Sequence, residues 1–310
     1  MSPSPNARVL GVVGYPVRHS LSPALHRAAY ERLGLDWSYL IFEVPARSFA
    51  QAVSGARSLG FYGLSVTMPH KEQAAALSTR RSAAVRRLGA ANTLSFRGDE
   101  IAGDSTDGAG LIDDLWQGAA FDPAGRRCGV IGAGGAARAV LVALAEAGAA
   151  ELVVVNRTRS RAWQAAALEP AIARVAKPED LGGCDLVVQA TPVTMGPPEG
   201  EGEGAGTLRD AGEGAGALVA RLVDGAGLGS GQLVVDLSYH PATNWFLQAA
   251  AARGARTRNG LGMLVHQAAH QVRIWTGAEP PLDAMWAAVT AAGLEPDRPE
   301  LTLPKPEQQA

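Results

Sequence analysis

Cys128-Gly129-Val130-Ile131-Gly132-Ala133-Gly134-Gly135-Ala136-Ala137 is the stretch on which the fold turns. An apolar strand, Cys128–Ile131, runs straight into a glycine-rich turn, and an Ala/Leu-rich helix at about Ala136–Ala147 follows. Gly132 permits the tight turn, Gly134 lets a backbone approach a pyrophosphate, and Ala137 allows close helix–strand contact. The first N–H groups of the helix have no partner within it and suit a phosphate. A glycine string alone is weak evidence, since Gly-rich turns are common. Here a strand precedes it, a helix follows, and a second apolar strand, Leu152–Val155, comes at the expected distance. Dinucleotide binding by Gly132, Ala133, Gly134, Gly135 and Ala136 is therefore preferred over a purely structural turn.

The end of that second strand reads the cofactor. A site for NAD places an acid about 20 residues after the fingerprint, on the ribose 2′-hydroxyl. This chain has Asn156-Arg157-Thr158-Arg159-Ser160-Arg161 there, with no acid. Planar guanidinium groups match a ribose 2′-phosphate, so Arg157 and Arg161, with the Thr158 hydroxyl, point to NADP. Arg159 reads as a solvated charge.

Outward from this centre, apolar β-branched runs alternate with helical stretches, which is the pattern of α/β architecture with parallel sheets. Upstream lie strands at Val9–Gly14, Trp37–Val44 and Gly63–Met68, and a hairpin of Thr93–Phe96 with Ile101–Asp104. Helices are expected at Ser48–Leu59, Lys71–Leu77, Ser82–Leu88 and around Leu111–Trp116. Another begins at Ser22-Pro23, with Ser22 as N-cap, Pro23 in the first turn and Gly34 as the stop. Downstream, strands Leu186–Gln189 and Leu233–Leu237 join the second series, with helices near Ser160–Leu168 and Thr243–Arg253. Each of these strands is short and almost wholly apolar, as when helices cover both faces. Met195 to Gly231 is rich in Gly, Glu and Ala and reads as a surface insertion with one helix near Ala217–Val223. Helices Leu261–Trp275 and Leu282–Ala292 close the fold before a Pro/Glu/Gln-rich tail from Glu295.

With 310 residues, 47% of them hydrophobic, the chain is long enough for two domains. A net charge of −2 gives no basic excess for nucleic acid or an anionic membrane. No apolar run reaches the ~18 residues of a membrane span, and residues 1–8 carry no apolar signal core. Cys128 and Cys184 form no CxxC pair, which fits a reducing cytoplasm. His19, His26, His70, His240, His266 and His270 show no ligand spacing, so no metal is expected. There is no GxSxG elbow and no K-[ST] P-loop, which leaves hydrolase and transferase readings without support.

Seven segments in one order carry a further likeness: Gly14-Tyr15-Pro16-Val17-Arg18-His19-Ser20-Leu21-Ser22-Pro23, Ser65-Val66-Thr67-Met68-Pro69-His70-Lys71, Gly89-Ala90-Ala91-Asn92-Thr93, Gly103-Asp104-Ser105-Thr106-Asp107-Gly108, Gly132–Ala137, Asn156-Arg157-Thr158, and Asn259-Gly260-Leu261-Gly262-Met263-Leu264-Val265-His266-Gln267. In this the chain resembles the shikimate dehydrogenase family over nearly its whole length. The resemblance implies an N-terminal α/β substrate domain, residues 1–108 with 260–310, and a Rossmann-type NADP domain, residues 109–259, with the C-terminal helices returning to the first. It implies NADPH-dependent, reversible reduction of 3-dehydroshikimate to shikimate, in aromatic amino acid biosynthesis, by a cytoplasmic monomer or homodimer. Lys71 and Asp107 would be the catalytic pair, and Ser20, Ser22, Thr67, Asn92, Tyr239 and Gln267 would hold the substrate, with the serines facing its carboxylate. Asn156, Ala190, Thr191, Met195, Gly260 and Met263 would join the cofactor site.

The chemistry agrees with those residue types. Reduction of a ketone requires a proton for the forming alkoxide, and an ordinary lysine amine is charged at neutral pH, a good donor and a poor base. A carboxylate beside it favours the charged form, so Asp107 would position the amine more than activate it as a base. Taken alone, Lys71 would read as a solvated lysine at a helix start, and Asp107 as a cap or first-turn acid. Two departures stand out. The family often has Asn where Ser65 stands, so the hydrogen bonds around the substrate would differ. Gln189-Ala190-Thr191-Pro192 replaces a common Asn-Ala-Thr start. Alternatives are a quinate or aminoshikimate dehydrogenase of the same fold, or a non-catalytic NADP-binding sensor.

Overall fold

The computed structural model describes residues 7–195 and 227–294. The stretch 196–226, with the helix expected at Ala217–Val223, and the tail from Glu295 lie outside the described residues. The chain divides into two compact α/β units, one built on Met1–Gly110 with Leu264–Pro296 and one on Leu111–Met263.

The first unit holds a six-stranded sheet in the order β2-β1-β3-β5-β6-β4. Strands β1 (Arg8–Gly14), β2 (Trp37–Glu43) and β3 (Gly63–Val66) are parallel. Strands β5 (Thr93–Arg97) and β6 (Glu100–Asp104) form the expected hairpin, which runs antiparallel to β3 and makes this sheet mixed. The edge strand β4 (Arg80–Arg81) has two residues and went unread in the sequence. Helices α1 (Ser22–Arg32), α2 (Phe49–Ser58), α3 (Lys71–Leu77) and α4 (Ala83–Leu88) belong here. Phe49, Val53, Leu64, Val66, Leu94 and Phe96 are in its core. A Cβ at Gly14 would come within 2.4 Å of Thr67 Cγ2, so glycine lets the end of β1 meet the turn after β3.

One local expectation fails. Ser22 does not cap α1: it is the first helical residue, the cap position is Leu21, and no side chain caps the helix. The Ser22 N–H donates instead to Ser20 Oγ at 3.2 Å. Ser20, placed just before the helix, takes the Ser22 N–H, while the Ala24 and Leu25 N–H groups that a Ser22 cap would have served go to the Leu21 carbonyl. Gly34 ends the segment as read, at φ +68°.

The second unit holds β7 (Arg127–Ile131), β8 (Glu151–Val155), β9 (Ala173–Val175), β10 (Leu186–Gln189), β11 (Leu233–Asp236) and β12 (Arg256–Arg258), ordered β12-β11-β10-β7-β8-β9. Every pairing is parallel. Counted from β7, this is the 3-2-1-4-5-6 order of the dinucleotide-binding fold, whose switch point lies between its first and fourth strands, here β7 and β10. Helices α6 (Gly135–Glu146), α7 (Arg159–Ala166) and α8 (Trp245–Ala252) accompany it, the last capped by the Asn244 side chain. Val130, Val140, Leu141, Leu144, Leu152 and Val188 are buried in its core.

The division of the chain falls within two helices, α5 (Asp107–Gly118) and α9 (Leu261–Thr276). In the first unit α10 (Leu282–Ala291) packs on α1. No described helix is long and apolar enough to cross a membrane.

Candidate active site

In the first unit, three chain turns and one helix bring a polar cluster together. Lys71 opens α3, Asp107 opens α5, Asn92 precedes β5, and Gln267 lies on α9. Lys71 Nζ donates to Asp107 Oδ2 at 2.6 Å, with side chains 17% and 7% exposed. The pair is thus shielded while the amine keeps some access. Asn92 Nδ2 donates to Asp107 Oδ1 at 2.8 Å and to Thr106 Oγ1 at 2.9 Å. Its Oδ1 accepts from the Thr106 N–H at 2.9 Å and the Thr93 hydroxyl at 2.8 Å. Gln267 Oε1 lies 3.4 Å from both Asn92 Nδ2 and Thr106 Oγ1, and its amide nitrogen donates to the Leu264 carbonyl. Gly110 makes room for it, since a Cβ there would fall 2.7 Å from the Gln267 backbone nitrogen. Asp107 therefore has one oxygen on the amine and one on an amide, a rigid acceptor that holds the ammonium in place.

Ser20 and Ser22 meet at the start of α1, with Ser20 Oγ donating to Ser22 Oγ at 3.1 Å. The Tyr39 hydroxyl bonds Ser22 and Ser65, and burial pushes that phenol's pKa up. Thr67 is half-buried in the turn between β3 and α3, its N–H on the Val13 carbonyl. Tyr239 is half-buried after β11 in the second unit.

At the switch point of the second sheet, the fingerprint turn leaves β7 and enters α6. Gly132 sits at φ +121°, which L side chains rarely adopt. A Cβ there would meet Thr191 Cγ2 at 3.1 Å and the Ala190 carbonyl oxygen at 3.3 Å. The turn thus lies against Ala190 and Thr191, which follow β10. Gly134 occupies the N-cap without a side-chain cap, and a Cβ there would have nothing within 4 Å. The turn is open where a pyrophosphate would lie, and the helix presents uncapped N–H groups to it. Ala133, Gly135 and Ala136 are half-buried along this turn.

Beyond β8, the Asn156 amide closes a turn by donating to the Thr158 carbonyl at 2.9 Å. Arg157, Thr158, Arg159 and Arg161 are all exposed, and the arginines have no ion-pair partner among the described residues. These groups fit a nucleotide with an added phosphate. Gln189, at the end of β10, braces the next loop: its Oε1 accepts from the Thr191 N–H and hydroxyl, and its amide donates to Thr194 Oγ1. Met195 follows the 3-10 turn Pro192–Thr194 and is 40% exposed. Gly260 touches the chain after β11 so closely that a Cβ would lie 2.0 Å from the Leu237 oxygen. Met263 is 7% exposed, with its side chain in the core of the second unit.

The sequence reading passed over Thr106, Tyr39 and Gln271, all of which the fold joins to this polar set. Thr106 stood within a quoted segment, whereas Tyr39 and Gln271 carried no local signal.

Three family models match the chain: the shikimate dehydrogenase substrate binding domain over residues 12–94, shikimate/quinate 5-dehydrogenase over 117–192, and the shikimate 5′-dehydrogenase C-terminal domain over 260–290. A shikimate dehydrogenase (NADP(+)) of Methanopyrus kandleri is 40% identical over 291 residues, covering 91% of this chain and 94% of its own. Shikimate 5-dehydrogenase of Thermus thermophilus, solved with NADP(H) and shikimate, superposes with TM-score 0.77 at 34% identity, over 92% of this chain and 99% of its own. A 5-ketofructose reductase of a Gluconobacter strain superposes with TM-score 0.74 at 30% identity, over 93% and 100%. By its sequence over most of its length, the chain belongs to the shikimate dehydrogenase family.

Proposed function

We propose that the protein is an NADP-dependent shikimate dehydrogenase, an oxidoreductase acting on a CH–OH group that reversibly reduces 3-dehydroshikimate to shikimate. The observation that carries the mechanism is the Lys71–Asp107 pair, 2.6 Å apart, with Asn92 on the other carboxylate oxygen. NADPH supplies the hydride when bound. Lys71 delivers the proton from Nζ to the alkoxide oxygen that forms, and takes it back in the oxidation direction. Asp107 keeps the Lys71 amine aimed at the substrate oxygen. Asn92, Thr67 and Gln267 bond ring hydroxyls, Ser20 and Ser22 hold the carboxylate, and Tyr239 is a further substrate-binding candidate.

The Rossmann-type unit, residues 109–259, binds NADP through Gly132–Ala136, with Asn156, Arg157, Thr158 and Arg161 on the adenosine phosphate. Ala190, Thr191, Met195, Gly260 and Met263 serve the nicotinamide end. Residues 1–108 with 260–310 form the substrate domain. We place the enzyme in the cytoplasm as a monomer or homodimer; the unpaired, buried thiols of Cys128 and Cys184 fit a reducing compartment.

A 5-ketofructose reductase shares this fold, so the choice of substrate is the discriminating measurement. Initial rates with shikimate and quinate, each against NADP⁺ and NAD⁺, test the reading. Shikimate with NADP⁺ is the best pair. Arg157→Ala weakens NADP⁺ about tenfold or more and NAD⁺ little, in line with a lost charge-assisted phosphate contact. A wild-type preference for quinate or NAD⁺, or an equal loss of both cofactors in the variant, contradicts it.

A further inference from the structure

A single line of hydrogen bonds runs through the first unit from Tyr39 to the lysine. The Tyr39 hydroxyl donates to Ser65 Oγ, and Ser65 Oγ donates to Gln271 Oε1 at 2.7 Å. Gln271 Nε2 donates to Thr93 Oγ1 at 3.0 Å and to the Asn92 backbone oxygen at 3.3 Å. The Thr93 hydroxyl donates to Asn92 Oδ1 at 2.8 Å, and Asn92 Nδ2 donates to Asp107, which holds Lys71. Gln271, Thr93 and Asn92 are 1%, 0% and 3% exposed, so no bulk water substitutes for a missing partner.

The line has only one consistent direction. A backbone carbonyl accepts and never donates, so the Gln271 atom facing Asn92 O is the amide nitrogen. Its oxygen must then face Ser65 and His26 Nε2, which lies 3.2 Å away. The Ser65 proton is thereby committed to Gln271, and Ser65 offers a ligand an acceptor but no donor. On the other side, Gln271 grips Asn92 twice, at its backbone oxygen and, through Thr93, at its side-chain oxygen. The Thr106 N–H is the second clamp on that oxygen. With Oδ1 held there, Nδ2 is turned to the Asp107 carboxylate. An inverted amide would set two acceptors against each other at considerable cost in a buried site.

We infer that Gln271 is a positioning residue for the catalytic pair, acting through Thr93 and Asn92 on the Asp107 carboxylate. This rests on the proposed roles of Lys71 and Asp107. It also gives α9 a second task, four residues past the candidate ligand Gln267.

The test compares wild type with Gln271→Met, which keeps length but removes both polar atoms, and with Thr93→Val, which cuts only the hydroxyl link. Hydrogen exchange of the Asn92 side-chain NH₂ is followed by ¹⁵N NMR on the full chain without ligand, and shikimate oxidation is measured beside it. The expected result is exchange accelerated about tenfold or more in Gln271→Met, and less in Thr93→Val. With it comes an about tenfold fall in kcat at NADP⁺ affinity within about twofold of wild type. Should Gln271→Met fail to fold, Thr93→Val carries the same comparison. Unchanged Asn92 exchange in the folded variants overturns the inference, as does unchanged kcat despite faster exchange. Wild-type inactivity on shikimate would instead remove the functional reading, while the exchange measurement still decides whether Gln271 holds Asn92.

Discussion

His26 is wholly buried, stacked on Tyr39 with ring centroids 4.1 Å apart. Burial drives its imidazole pKa down to about 3, and the hydrogen bond to Gln271 only partly opposes this. The ring is therefore neutral in the fold, with Nε2–H on Gln271 and Nδ1 accepting from the Tyr30 hydroxyl. An unfolded histidine takes a proton near pH 6.5, which the folded one refuses. The stability this residue contributes is complete above about pH 6.5 and declines as pH falls from there toward 3, at up to about 1.4 kcal/mol per pH unit. NMR of the ring carbons should show His26 neutral from pH 7 down to pH 4; a titration near 6.5 would contradict the buried, polarised arrangement. The residues that the fold brings into one polar cluster stood out in the sequence where they sat in short ordered segments, as Lys71, Asn92, Asp107 and Gln267 did. Gln271 was not, because its partner Ser65 is 206 positions away and only the fold makes them neighbours. Ser22 misled for a different reason: the helix begins one residue earlier than expected, so Leu21 holds the cap position and its carbonyl accepts from the Ala24 and Leu25 N–H groups.

Among the elements, the clearest device is the contact between α5 and the end of β12. Arg258 donates through Nε and Nη2 to both oxygens of Asp114 and through Nη1 to the Gly118 carbonyl, with the two side chains 5% and 1% exposed. Gly262 leaves room for it, because a Cβ there would fall 1.8 Å from Asp114 Oδ1. The ion pair thus holds the chain immediately before the Gly260–Met263 segment. Arg258→Met strands a buried carboxylate and should cost about 3–5 kcal/mol, whereas Asp114→Leu with Arg258→Met should recover much of that loss. Denaturant unfolding of both variants checks this; a single variant as stable as wild type would show the pair to be incidental. The longer elements were readable from apolar runs and helical spacing. The short strands β4, β9 and β12 were not: they have two or three residues, five of them arginines in Arg80–Arg81, Ala173–Val175 and Arg256–Arg258, and take their strand state from neighbours.

For the molecule as a whole, the second unit was legible because one fingerprint, a parallel strand series and its 3-2-1-4-5-6 order agree. The first was less so, since its mixed sheet depends on one hairpin reversing direction. The proposed function turns on the amine of Lys71, one of three lysines in the chain with Lys177 and Lys305. Turnover of shikimate with NADP⁺ by Lys71→Ala, measured beside its NADP⁺ affinity, is the most direct test. Turnover should fall about 10²–10⁴-fold, the range for a lost general acid–base group, with cofactor affinity unchanged. Turnover at the wild-type rate, or a loss explained by weaker NADP⁺ binding, would contradict the account.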